Sequence, residues 1–361
     1  MHVTGKKSTA KLHHYVPQAY LRGFATNKER IRVIPLDRSR QPYTPSVKNV
    51  AAQNQFHAVG EFEEPDAFEK ALSEVEGQAL GIIRGFADGE FPPSEENRWA
   101  FAHYTALQSV RGPDTRRTTE HLRATMVRLE MGTGGRKNVS AWIRDNLRFD
   151  PTPEQEARIW DEATQPGGPP IGFSNLAHIQ NAVKTAIELT PYLATRPWAL
   201  VRFDRRSLIT SDAPVSLVRR PNAKSWEGVG FATAWGVTFP LTRKLGLLMS
   251  DPMAMLEGVG AGDSRVQQLR EMVLAGRIDQ IQSGTTAMEK LFNQHTAEAA
   301  REYVFHHPED ERFVPADLPE PDLINIKPVG GLVDVDFDGE PLFAPDRDNP
   351  QHEESLPNRF D

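Results

Sequence analysis

Apolar residues recur at Phe68, Leu72, Val75, Ala79, Ile82, Ile83 and Phe86. That three-and-four spacing predicts an amphipathic helix over 65–87. The same period predicts a helix over 95–110, capped by Ser94 and stopped at Gly112-Pro113. An Arg-rich helix follows over 115–131, ended by the glycines within 132–135. Shorter helices are expected at 139–147 and 153–164, and Ser174 caps another that runs to about Leu189, closed by Pro191. Beyond Pro197 the character changes. Trp198–Phe203, Ser207–Thr210, Thr233–Pro240 and Lys244–Met249 read as two strand pairs. Helices return at 264–281 and 285–299, and the short apolar run Glu302–Phe305 follows.

Strands that are separated from helices along the chain predict an α+β fold rather than a doubly wound sheet. The expected domain spans 10–316, with a helical part at about 25–195, a small mostly antiparallel sheet from about 197–250, and C-terminal helices at about 264–300. Residues 1–9 read as a disordered leader. Residues 317–361, rich in proline and acid, read as a mostly disordered tail.

The first ordered stretch is the densest in chemistry. His13 and His14 are adjacent, so on a strand they point to opposite faces. Pro17 ends such a strand, and Gln18 to Phe24 then places Tyr20, Leu21 and Phe24 on one helical face. A strand cannot satisfy its backbone groups alone, so this one is expected to dock on the sheet of 197–250.

The pattern His13-His14-Tyr15-Val16-Pro17-Gln18, continued by Tyr20, Leu21 and Phe24, resembles the opening of a bacterial family of unknown function, DUF4238. The resemblance continues through Val47–Ala52, Leu72–Glu76, Gln108 with Arg111, Thr210–Pro214, Phe239–Thr242, Leu291–Asn293 and Ala300–Val304, and so covers about 10–306. His57 departs from it, because such sequences tend to carry tyrosine there. The family name implies no activity. The His-His-x-x-Pro opening is also similar to that of some His-Asn-His nucleases, in which one histidine activates water and a neighbour helps to hold a divalent cation. For the remaining pair only Asn54 and His57 are at hand.

Composition narrows the classes. Cysteine is absent, which excludes disulfides, thiolate nucleophiles and Cys-based zinc sites. No apolar run reaches membrane-span length, the polar start is unlike a secretory signal, and the cytoplasm is the expected location. The net charge of −7 is uneven. Residues 317–361 hold twelve acidic and three basic residues, which leaves the remainder at +2. The basic stretches 1–40 and 111–148 suit an anionic partner such as nucleic acid. No phosphate-cradling glycine loop occurs, which disfavours nucleotide motors and Rossmann oxidoreductases.

Seven residues form the candidate site: His13, His14, Gln18, Glu76, Gln108, Arg111 and Asp212. The two imidazoles can supply a metal ligand and a general base, or one packed and one exposed histidine. Glu76 lies inside the apolar stripe of its helix, with Glu69 seven residues earlier on nearly the same face. A carboxylate there is a base, a metal ligand or half of an ion pair with an arginine of the next helices. Gln108 and Arg111, three apart, form a fork for an anion, and Arg111 equally suits Glu76. Asp212 follows a strand and either ligates a metal or makes an Asx-type turn before Pro214. The metal set expected from these is His14, Glu76 and Asp212. Two functions follow: a divalent-metal hydrolase, a nuclease or phosphodiesterase of the kind found among defence or toxin proteins, or a non-catalytic protein that recognises an anionic ligand or partner chain.

Overall fold

The computed structural model describes residues 12–58, 67–224, 227–256, 260 and 262–342. The leader 1–9 and the end of the acidic segment, 343–361, lie outside the described residues. The fold is α+β, and the chain divides into two compact units where one domain is expected over 10–316. One unit comprises residues 1–116 and 173–323, the other 117–172 and 324–361.

The first unit opens with β1 (Leu12–His14), α1 (Gln18–Leu21) and β2 (Arg32–Pro35), then β3 (Ala52–Asn54), α2 (Ala67–Asp88) and α3 (Glu95–Val110). The helix α4 (Pro113–Gly134) begins next, and most of it belongs to the second unit together with α5 (Val139–Leu147) and α6 (Pro153–Thr164). The first unit resumes with α7 (Asn175–Ala194), β4 (Trp198–Arg202), β5 (Thr210–Ser211), β6 (Ser216–Val218), β7 (Gly236–Thr242) and β8 (Leu245–Ser250). It closes with α8 (Ser264–Leu274), β9 (Gln280–Ser283), α9 (Thr286–Ala299) and β10 (Tyr303–His306).

Five strands form the main sheet in the order β6-β7-β8-β4-β9, antiparallel except for the β4–β9 pair. A second sheet has the order β2-β10-β5, and β1 pairs with β3 in a sheet of their own. Two expected pairings are corrected here. The opening strand does not join the sheet of 197–250. Instead α1, the segment after it, reaches that sheet: the Tyr20 hydroxyl donates to the Pro240 carbonyl at 2.6 Å and lies 2.7 Å from Thr210 Oγ1. Residues 207–210 do not pair with 198–203, because Thr210 and Ser211 pair with β10.

The helix expected over 264–281 stops at Leu274. Gly276 takes a left-handed φ of 67°, and Arg277 N–H bonds back to Met272 O, the usual end of a helix. Residues 280–283 then find hydrogen-bond partners along β4, and the buried Asp279 pairs with the buried Arg98 and accepts from Trp198 N–H. A local apolar period cannot reveal that open strand edge. Conversely, α7 continues through Pro191 to Ala194. Pro191 is on the exposed face, where the carbonyl four residues back can turn to water.

The core of the first unit centres on rings: Tyr20, Phe24, Phe101, Tyr104, Trp198 and Phe239 are all buried. In the second unit Val127, Met131, Val139, Ile143, Trp160 and Ala163 form a separate cluster. Phe337 packs on it, and Arg128 donates to the carbonyls of Val333 and Val335 at 2.7 and 2.6 Å. Part of the acidic segment, read from the sequence as mostly disordered, therefore makes specific contacts around Val333–Phe337. Among the described residues, no helix is long and apolar enough to cross a membrane.

Candidate functional site

The β1–β3 ladder pairs His13 with Gln53 and His14 with Ala52. Strand alternation then separates the histidines as expected: His13 is buried, and His14 is half-buried. After β3 the chain turns sharply, with Gln55 in the left-handed region at φ 56°. Two residues further on, His57 is buried at 2% exposure.

That turn is held from outside. Arg116 donates to Phe56 O at 2.6 Å, lies over the Phe56 ring at 3.5 Å, and donates to Asn175 Oδ1 at 2.9 Å. Asn175 in turn donates to the carbonyls of Gln55 and Ala58. Side chains from the first turns of α4 and α7 thus fix one histidine.

His57 backbone N–H donates to His13 Nδ1 at 2.7 Å, and the two rings stack 5.7 Å apart. Glu69, in the first turn of α2, brings Oε1 to 2.6 Å from His57 Nδ1 and 3.7 Å from His13 Nδ1. One ligand atom from each of His13, His57 and Glu69 lies within 4.8 Å of the others. Metal-to-ligand bonds are about 2.0–2.2 Å for imidazole and carboxylate, so a cation can bridge the three once the hydrogen bonds at His13 Nδ1 and His57 Nδ1 give way. Burial lowers the His57 pKa, although its hydrogen bond to Glu69 opposes the shift. The Glu69 side chain is 26% exposed, which leaves the cluster open to solvent on that side.

Of the expected set, His14, Gln18, Glu76, Gln108 and Arg111 occupy neighbouring positions. Gln18 Nε2 is 3.3 Å from His14 Nδ1. Burial lowers the His14 pKa, against the pull of the Lys48 backbone, and its Nε2 is enclosed without a hydrogen bond of normal geometry. The charges of Glu76, Glu69 and Arg111 all act on that ring. Arg111 donates to Glu76 Oε1 and to Gln108 Oε1, both at 2.7 Å, and Gln108 Nε2 donates to Tyr15 O at 3.0 Å. The fork expected to grip an anion is therefore occupied within the protein, and it ties α2 and α3 to the residue after β1.

The carboxylates of the expected metal set are engaged elsewhere. Glu76 holds Arg111. Asp212 accepts from the backbone N–H groups of Arg301, Glu302 and Tyr303 at 2.8, 2.7 and 3.2 Å, and so fixes the start of β10. A structural role at a turn describes it better than ligation does. Burial raises its pKa to about 7, against the pull of those donors. In place of Glu76 and Asp212 the structure brings together Glu69 and His57. The sequence carried a faint signal for both: Glu69 shares the helical face of Glu76, and His57 stands where the resemblance leads one to expect tyrosine.

No curated protein and no solved structure matches the chain. Residues 12–310 match the family described as "Protein of unknown function (DUF4238)", and they include every residue of the cluster and of the Glu76–Arg111–Gln108 network. The chain belongs to that family.

Proposed function

We propose that this chain holds a divalent cation between His13, His57 and Glu69 and uses it to activate water for hydrolysis of a phosphodiester. The observation that carries this reading is the convergence of two imidazoles and a carboxylate within 4.8 Å. Three protein ligands leave a coordination position for water, and a bound cation lowers the pKa of that water towards neutrality. The basic stretch 111–148 favours an anionic substrate, although Arg111 is itself paired with Glu76.

The test is calorimetric titration of the purified chain with Mn²⁺ and Zn²⁺, together with cleavage of bis(p-nitrophenyl) phosphate. Stoichiometric binding that disappears in Glu69→Gln, with activity that follows it, supports the reading. One observation favours the alternative: His13 Nδ1 already accepts an amide proton, so the cluster is a closed hydrogen-bonded clamp without any ion. On that reading the chain is a non-catalytic protein that binds an anionic ligand or partner. Absence of metal binding near neutral pH decides for it.

A further inference from the structure

A cavity of about 1010 Å³ opens in the first unit between the loop after β4, helix α9 and residues 312–317. None of the cluster residues lines it. Its walls are tied together by one side chain. Asn293 is 1% exposed; its Oδ1 accepts from Ile209 N–H, and its Nδ2 lies within hydrogen-bond distance of Ser207 O, Glu289 Oε1 and Phe313 O. A buried amide bonded to all three walls makes the cavity preformed, so a ligand need not order it.

The charges on these walls are unequal. Arg205, Arg206, Lys290 and Arg312 line the cavity with Glu289 and Asp317. Glu289 is neutralised by Arg206 at 2.9 Å, and its other oxygen faces Asn293. Arg205, Lys290 and Arg312 therefore remain as cations against the single exposed carboxylate of Asp317. The Arg312 guanidinium sits 4.7 Å from the Phe313 ring centre, and Val314 and Pro315 continue an apolar wall beside it.

We infer that this cavity binds a small phosphomonoester that carries an apolar body. A phosphomonoester has a charge of about −1.5 to −2 near neutral pH, on the order of the net positive charge of the lining. Guanidinium groups bond such an anion in a forked geometry, and the Phe313–Pro315 wall covers the rest of the molecule. The inference is independent of the metal site.

The probe is phenylphosphonate, which resists hydrolysis, with inorganic phosphate and phenol as controls, each titrated calorimetrically into the full chain. Phenylphosphonate is expected to bind several-fold more tightly than phosphate, and phenol not at all. Arg312→Gln and Lys290→Gln are each expected to weaken it about tenfold. Both residues are exposed, and an unchanged melting temperature shows that the variants fold. Affinity should fall between about 0.05 and about 0.5 M salt, and Glu69→Gln should leave it unaltered. No binding of phenylphosphonate at millimolar concentration, or binding indifferent to both substitutions, overturns the inference. Phosphate binding as tightly as phenylphosphonate overturns the role of the apolar wall.

Discussion

His57 Nδ1 lies 2.6 Å from Glu69 Oε1, across twelve residues of sequence, so a hydrogen bond occupies the place where a cation would bridge the two. A cation there needs a neutral imidazole whose ring proton has moved from Nδ1 to Nε2, so affinity should fall steeply as the solution is acidified from about pH 7 to about pH 5. Calorimetric titration at the two pH values checks this. Affinity indifferent to pH would place the cation elsewhere.

The Arg111 side chain is 2% exposed and depends on Glu76 for its counter-charge. Glu76→Ala leaves a buried guanidinium without its carboxylate and should cost about 2–3 kcal/mol, a little below the roughly 3–5 kcal/mol of a fully buried pair because Glu76 is itself 22% exposed. Glu76→Gln keeps an acceptor and should cost less. Urea unfolding of the two variants distinguishes them; equal losses would mean that the charge is immaterial.

Asp212 makes folding sensitive to pH in a definite direction. Its folded value of about 7 is above the ordinary 3.8, so the folded chain holds this proton more tightly than the unfolded chain. The stabilisation is complete below about 4 and is lost as pH rises through about 7. In Asp212→Asn that component of the melting-temperature profile should disappear. A general loss of about 1–2 kcal/mol should accompany it, because the amide presents one acceptor oxygen to three donors. A variant that retains the wild-type slope between about pH 4 and 7 would assign the effect to other groups.

Phe337 lies against the apolar cluster of the second unit, and a Cβ at Gly132 would fall 2.3 Å from its ring. Phe337→Ala should therefore lower stability by about 2–3 kcal/mol, somewhat less than for a fully buried phenylalanine. Truncation after Ala316 should lower the melting temperature further, since Arg128 also loses its carbonyl partners. An unchanged melting temperature after truncation would show that the segment adds nothing to folding.

The sequence by itself determined the α+β class, the positions of most helices, the β7–β8 hairpin and the opposite facing of His13 and His14. All of these follow from periods of two or three-to-four residues and from caps and breakers, which act within a few residues. It also singled out Glu76, Gln108 and Arg111 as one group, because polar residues on apolar helical faces must find one another. Only the tertiary structure decided the partners of each strand and carboxylate. Whether β1 pairs with β3 or with the large sheet, and whether 280–283 is helix or strand, depends on which backbone edge lies open in space. Whether Asp212 or Glu69 faces a histidine depends on a left-handed turn at Gln55 and on Arg116 and Asn175, which hold that turn from distant parts of the chain. Contacts between residues so far apart leave no periodic trace in the sequence.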